Sequence, residues 1–416
     1  MADPFEQPDG GVPRNEDRLV KHARTASILA IAEIAGKAAS FLMFAVAARV
    51  LGPAEFGQFS WSFNLALLMS VFVIWGFDTA LIQLASKAHE RLDYLLSNLI
   101  VIRALITPIA LVIVALIPGG QNDSVMVTLV LTLAVLLDSS NQAIRSAAAV
   151  LEKQSEVAIN LVIQRLATAG LAVGILLTGG GVLDMAWAYL AGTLVGVVLM
   201  FWSGHRIGLR PRLSLVNRAG LRELASGSTA LGLSNALNML TFRVDTLMLG
   251  WMLDNTAVGA YSAAYKLFET ALFVLWSLDR VALPVMTASE GREPVRRGVH
   301  LATSAMFAIY SPYIVVLVLR GEELLNLFFG SPYGTDSLAS LQVRVVSLIP
   351  YSLQYLLAAG LLARSRNRLV TISSAVALVV NVGCNLVLIP ALGPAGAALS
   401  TFIAMALQAA FLWVFV

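Results

Sequence analysis

The sequence predicts an all-α polytopic membrane protein with twelve transmembrane helices in two parallel-repeat six-helix lobes around a central cleft. Three observations predict it. First, 58% of the 416 residues are hydrophobic and 13% are charged, with a mean hydropathy of +0.79, against about 45–50% apolar and about 25% charged in an ordinary soluble domain. Second, Lys and Arg are concentrated in every second turn, on one side of the membrane. Third, the chain repeats itself at an offset near 200.

A bilayer core about 30 Å thick takes about 20 apolar residues per helix. Windows of that length fall near 27–48, 59–82, 94–117, 125–147, 157–178, 182–203, 225–249, 260–285, 301–319, 339–362, 369–389 and 395–416. They are continuously apolar, whereas barrel strands would alternate over about 10 residues. Residues 1–24 carry Pro4, Pro8, Pro13 and mixed charge, a composition that cannot bury a core, and are expected to form a mobile cytoplasmic tail. Ala45-Val46-Ala47 looks like a signal-peptidase site, but the preceding run is too long and carries Glu33 and Lys37, so cleavage is not expected.

Orientation follows from the basic residues. One side holds Arg14, Arg18, Lys21 and Arg24, then Lys87 and Arg91, Arg145 and Lys153, Arg206, Arg210, Arg212, Arg218 and Arg222, Arg292, Arg296 and Arg297, and Arg364, Arg366 and Arg368; the other holds only Arg49 and Arg320. A missed or invented helix would invert every later turn and scatter this pattern. Both termini are therefore expected in the cytoplasm. The longest outer loop is expected at 320–338. A net charge of +3, sorted by side, does not suggest a nucleic-acid partner. One cysteine, Cys384, excludes a disulfide framework, and four histidines without ligand spacing give no reason to expect a metal or any other cofactor.

The repeat is carried by short matches in equivalent helices. Leu51-Gly52 followed by Phe56-Gly57-Gln58-Phe59-Ser60 recurs as Leu249-Gly250 followed by Val258-Gly259-Ala260-Tyr261-Ser262. Trp75 and Asp78 are matched by Trp276 and Asp279, and Leu51-Gly52-Pro53-Ala54 returns as Leu392-Gly393-Pro394-Ala395. Six spans per copy is even, so both copies enter the membrane in the same direction. The expected division is an N-lobe at 25–203, a basic cytoplasmic linker at 204–224 and a C-lobe at 225–416.

Ionisable groups at membrane depth are costly and usually face a bundle interior or an aqueous cavity. Lys37, Arg103, Arg165 and Lys266 are the candidate cleft cations. Arg280 and Arg344 lie within snorkelling reach of a helix end. Glu33 with Lys37 at i, i+4 and Lys266 with Glu269 at i, i+3 could instead be structural ion pairs. Ser234, Asn238, Thr241 and Asp245 share one face of the seventh span, so Asn238 and Asp245 join the cleft candidates; Asp138, Gln142 and Arg145 do the same on the fourth. Asp78, Asp138 and Asp245 are the candidates to bind a coupling proton or Na⁺. The inventory of Lys37, Arg103, Arg165 and Lys266 against Glu33, Asp138, Asp245 and Glu269 is balanced, so sequence alone does not fix the sign of the cleft. Gly170-xxx-Gly174 and Gly192-xxx-Gly196 have the spacing of close helix packing. No G-x-x-x-x-G-K-[ST] loop is present, and the outer loops leave little room for a catalytic domain, so an enzyme is the weaker class.

RVLGPAEFGQFS at 49–60, RVDTLMLGWMLDNTAVGAYSAAYKL at 243–267 and IPALGPAGAALST at 389–401 resemble the polysaccharide biosynthesis (oligosaccharide flippase) family of the multidrug/oligosaccharidyl-lipid/polysaccharide exporter superfamily. The resemblance spans nearly the whole chain after residue 25. It implies translocation of a polyprenyl-pyrophosphate-linked oligosaccharide between leaflets of a bacterial plasma membrane, alongside a polysaccharide polymerase and glycosyltransferases. Asp245 matches the family's second-half aspartate. Family members commonly place a basic residue directly after it, whereas here Thr246 follows and Arg243 precedes. A cation-coupled multidrug antiporter of the same superfamily is the alternative, and a membrane glycan polymerase or ligase a third; a cationic substrate would want carboxylates in the cleft.

Overall fold

The computed structural model describes residues 15–117, 119, 124–287, 292–364 and 366–415. Among these there are no strands. The helices are α1 (Asn15–Ile74), α2 (Phe77–Ala85), α3 (Leu92–Leu116), α4 (Val125–Val150), α5 (Gln154–Leu177), α6 (Val182–Arg206), α7 (Arg218–Met252), α8 (Asn255–Thr287), α9 (Arg292–Phe329), α10 (Ser331–Val346), α11 (Leu348–Ala363), α12 (Asn367–Leu392) and α13 (Pro394–Trp413). Nine stretches among the described residues are long and apolar enough to cross a membrane, and one of them, Ile34–Ala85, has 52 residues and is long enough to cross twice. With α7 and α8 these account for the twelve expected spans. The first helix already begins at Asn15, inside the segment expected to be a tail; residues 1–14 lie outside the described residues.

The double crossing turns at Gly52, whose backbone (φ 74°, ψ 175°) is left-handed. Only glycine adopts this cheaply, and Pro53 then supplies the fixed φ of a helical first turn. The same device recurs at Gly393 (φ 61°) before Pro394, so the Leu-Gly-Pro-Ala echo in the sequence is an echo in backbone geometry. Gly250 differs. It continues α7, and the chain turns instead at Leu253 (φ −125°, ψ −117°), because four more residues separate the glycines in the second copy.

The outer loop expected at 320–338 is helical. α9 passes a non-helical Arg320 (φ −122°, ψ 18°) and runs to Phe329, and α10 starts after Gly330 (φ 101°). Pro108 and Pro312 are carried inside α3 and α9.

The linker is shorter and better anchored than its composition suggests. α6 extends to Arg206, and Asn217 caps α7 by accepting from Gly220 N (2.9 Å). Between them the backbone is tied to the first turns of α3, where Asp93 accepts from Arg210 N (2.9 Å), Ser97 from Arg212 N (2.9 Å) and Asn98 from Asn217 N (3.1 Å). Each bond satisfies a backbone donor that would otherwise need water.

Two lobes, α1–α6 and α7–α13, pack against each other along α1, α7 and α8. We call the face bearing residues 207–217 the basic face. On the opposite face Gly57 of α1 crosses Gly259 of α8 so closely that a Cβ on either would overlap backbone of the other lobe. The Trp61 indole lies against Gly250 and donates from Nε1 to Leu247 O (3.3 Å), and Arg49 donates to the carbonyls of Leu327 and Phe328 (3.0 Å to the latter) at the end of α9. Gly192 and Gly196 of α6 take Thr168 and Gln164 of α5 against their bare faces, as the small-residue spacing predicts; Gly170 and Gly174 have nothing within 4 Å and serve no such contact.

Candidate functional site

Between the lobes, level with the middle of α5, lies a cavity of about 310 Å³, within the range of small-ligand pockets. α1 contributes Lys37, Ser40, Phe41 and Phe44, α4 contributes Asp138, and α5 contributes Gln164, Arg165 and Thr168; α6 adds Tyr189, and Arg243, Lys266, Glu269 and Thr270 complete it from α7 and α8. Lys37, Arg165, Lys266 and Asp138, all expected on functional grounds, are thus brought together. Arg243, whose role the sequence left open, joins them. Among the described residues the lining holds four cations and two carboxylates, and the balance that the sequence left undecided tips positive there.

The C-lobe wall is a connected charge cluster. Lys266 Nζ lies 2.8 Å from Glu269 Oε2 and 3.7 Å from the centre of the Phe44 ring, so an ammonium from one lobe sits on an aromatic face of the other. Arg243 NH2 is 3.9 Å from Glu269 Oε1, and its NH1 donates to Asn64 Oδ1 across the lobe boundary (2.9 Å). The expected pairing of Lys266 with Glu269 is present, but Arg243 shares it. The side chain of Glu33, the expected partner of Lys37, lies outside the described residues.

The N-lobe wall differs in chemistry. Asp138 accepts from Gln164 Nε2 (2.7 Å) and Asn141 Nδ2 (2.9 Å), and Asn141 also donates to Gln164 Oε1 (3.0 Å). This amide network holds the carboxylate, with no ion pair to it among the described residues. Arg165, midway along α5, makes no hydrogen bond or ion pair among the described residues; it lies over Gly36 of α1, where a Cβ would come within 2.6 Å of its Cδ. A cation there costs about 2.5–3.5 kcal/mol on insertion scales.

Four expected site residues are elsewhere, three of them for the same reason. Arg103 is 2% exposed inside the N-lobe, where NH2 meets Asp78 Oδ2 at 2.7 Å and NH1 donates to Ser139 O. The pair fastens α3 to α2 and α4. Asp245 is fully buried inside the C-lobe, accepting from Tyr261 OH (2.8 Å), Asn385 Nδ2 (2.9 Å) and Thr401 Oγ1, with Arg344 NH1 at 3.5 Å. Arg344 does not snorkel: it is 0% exposed, its guanidinium 4.6 Å from the Phe268 ring centre. Arg103, Asp78 and Asp245 therefore do not face the cleft, and both aspartates already have guanidinium partners. Asn238 is exposed on α7 and does not line the cavity, so the polar stripe of that span does not share one environment; the side chains of Ser234 and Arg280 lie outside the described residues.

Towards the face opposite the basic one, the cavity is closed by packed rings. Phe44 meets Phe56 and Phe59 edge-on, and Phe56 meets Tyr333 of α10. Tyr333 OH donates to Ala48 O (3.1 Å). On the basic face the lobes touch where the Trp75 indole covers Gly232 and Arg91 pairs with Glu223 (2.7 Å). Trp75 and Gly76, both left-handed (φ 32° and 73°), break the helix there, a strained backbone for a tryptophan.

The chain matches the polysaccharide biosynthesis protein family over residues 23–290 and the MatE family over 230–387. It is 24% identical over 395 residues, 93% of this chain and 81% of the other, to a Haloferax volcanii protein named "Probable low-salt glycan biosynthesis flippase Agl15". Among solved structures it is similar to the lipid II flippase MurJ in an inward closed conformation (TM-score 0.75, 16% identity, 93% of this chain and 87% of that one). It is also similar to an inward-facing multidrug resistance MATE family transporter of the MOP superfamily (TM-score 0.72, 14% identity, 91% and 93% covered). These structures share its fold, and the first family match covers more than half of the sequence: the chain is a multi-pass membrane protein belonging to the polysaccharide biosynthesis protein family.

Proposed function

We propose that this protein is an alternating-access transporter that flips a polyprenyl-pyrophosphate-linked oligosaccharide from the cytoplasmic to the outer leaflet of a bacterial plasma membrane for surface polysaccharide assembly. The carrying observation is the sign of the cavity among the described residues: Lys37, Arg165, Arg243 and Lys266 against Asp138 and Glu269. An anionic pyrophosphate gains most from such charges in a water-poor cleft, where attraction is least screened. The amide and hydroxyl groups of Gln164, Thr168 and Ser40 suit sugar hydroxyls. The names of the Haloferax relative and of MurJ support the same substrate class. The lipid-linked oligosaccharide is delivered and consumed by membrane-associated glycosyltransferases and a polymerase.

The MatE match and the MATE neighbour favour a second reading, cation-coupled drug export. A cavity with more cations than carboxylates repels the cationic substrates of that reading. Asp138 is the coupling candidate that faces the cavity, and a membrane potential acting on an anionic substrate would serve as well.

Orientation rests on the basic face being cytoplasmic, with both termini there. Reporter fusions after residues 90, 215 and 365 are expected to report cytoplasm, and those near 54, 121 and 333 the outer side; inversion would reverse the proposed direction. The function itself is tested by deleting the gene and scoring surface glycan. Loss of glycan with accumulation of the lipid-linked precursor supports flipping, and an unchanged surface with heightened sensitivity to cationic drugs supports export.

A further inference from the structure

Among the described residues Glu269 is the one carboxylate in the C-lobe wall of the cavity, and its two oxygens face two different cations, Lys266 at 2.8 Å and Arg243 at 3.9 Å. Neither cation depends on it for position. The Phe44 ring supports Lys266 from the other side, at 3.7 Å, and Asn64 Oδ1 holds Arg243 at 2.9 Å. Nor does the fold require a carboxylate here. At the offset that equates Gly57 with Gly259, Lys266 corresponds to Asn64 and Glu269 to Leu67, which lines the same cavity from the first lobe. The symmetric scaffold therefore accommodates a leucine where the second lobe carries a charge.

Resting on the flippase reading above, we infer that Glu269 is an internal competitor for the substrate's phosphate: it holds the places on Lys266 and Arg243 that a phosphate would take, and substrate binds by displacing it. A bidentate carboxylate is a close match in shape and charge to one face of a phosphate. Competition sets a threshold, because a ligand must offer more charge or more acceptor oxygens than a carboxylate to take both cations. Pyrophosphate does and a neutral sugar does not, so Glu269 acts as the specificity filter of a cationic cavity. It also eases release, because its return to Lys266 and Arg243 displaces the headgroup once the cavity has opened to the other side. Without it, four cations would hold a pyrophosphate too tightly to turn over.

The test is calorimetric titration of inorganic pyrophosphate into the purified full-length protein in nanodiscs, with surface glycan scored in parallel in cells. Glu269→Gln is expected to bind pyrophosphate about tenfold tighter than the wild type, about the worth of one charge-assisted hydrogen bond, while exporting less glycan at normal protein level. Glu269→Leu, which places the first-lobe residue in the second lobe, gives the same comparison if the amide variant does not fold. Unchanged or weaker binding in the variants, with binding intact in the wild type and lost in Lys266→Ala, would overturn the competitor role and leave the flippase reading standing. Absence of pyrophosphate binding from wild type and variants alike would overturn both.

Discussion

Gly57 and Gly259 meet where α1 crosses α8, and each lies against the backbone carbonyl four residues before the other: a Cβ on Gly57 would overlap Asn255 O, and a Cβ on Gly259 would overlap Pro53 O. This reciprocity is what a two-fold relation between the repeats produces when its axis passes between the glycines. The two residues that signal the repeat in sequence thus form the tightest crossing of its copies, and they do so on the face where the cavity is closed.

Replacing Gly57 by leucine is therefore expected to prop that face open. Overpacking of this kind costs about 1–3 kcal/mol, enough to shift a two-state equilibrium by a factor of about 5 to 150. A cysteine placed at Ser40, in a background lacking Cys384, should be alkylated faster by a membrane-impermeant maleimide from that face in the Gly57→Leu protein. Equal rates would mean that the crossing does not gate the cavity.

The Arg49 guanidinium adds a second fastening on the same face, through the last carbonyls of α9. Arg49→Ala removes the bonds without adding bulk. It is expected to raise the same labelling rate by a smaller factor than Gly57→Leu, and an unaltered rate would assign Arg49 to anchoring alone.

Arg103 and Asp78 predict a different phenotype from the cavity residues. Removing one member of a buried pair leaves an uncompensated charge, at a cost of about 3–5 kcal/mol. Arg103→Ala and Asp78→Ala should each lower the amount of folded protein in the membrane, and the double replacement should recover much of it. If Arg103→Ala accumulates normally yet exports no glycan, its exclusion from the transport path is wrong.

Those residues mark where the sequence stopped being legible. The repeat, the spans and the alternation of basic turns are local or periodic features, and they locate the lobes. The partners of an intramembrane charge are neither. Asp78 and Arg103 stand on different helices, and Asp245 reaches Arg344 across 99 positions, so nothing in the spacing reveals that both acids are already paired. Counting charges therefore gives a balance, which the removal of Arg103 and Asp245 leaves level, and it is Arg243 that tips the described lining positive. Arg243 was hidden for the related reason that its partner Asn64 belongs to the other repeat, 179 positions away. The turn at Leu253 was obscured by its likeness to Gly52, since the four added residues move the break without disturbing the Leu-Gly signature.

Arg165 gives the cleanest single-residue prediction, because it lines the cavity without a hydrogen bond or ion pair among the described residues. Arg165→Ala should abolish surface glycan at normal protein level. Arg165→Lys keeps the charge and should retain much of the activity. A lysine variant as inactive as the alanine would assign Arg165 a geometric role through its guanidinium.

The central claim is that a cationic cavity moves a pyrophosphate-linked lipid, and it is met most directly by reconstitution. Purified protein in vesicles carrying a fluorescent polyprenyl-pyrophosphate oligosaccharide is assayed for transfer of the label between leaflets. The wild type is expected to transfer it, and a folded Arg165→Ala/Arg243→Ala/Lys266→Ala protein is expected to lose that transfer. Equal transfer by the triple variant, or transfer of a cationic drug in place of the lipid by the wild type, would contradict the account.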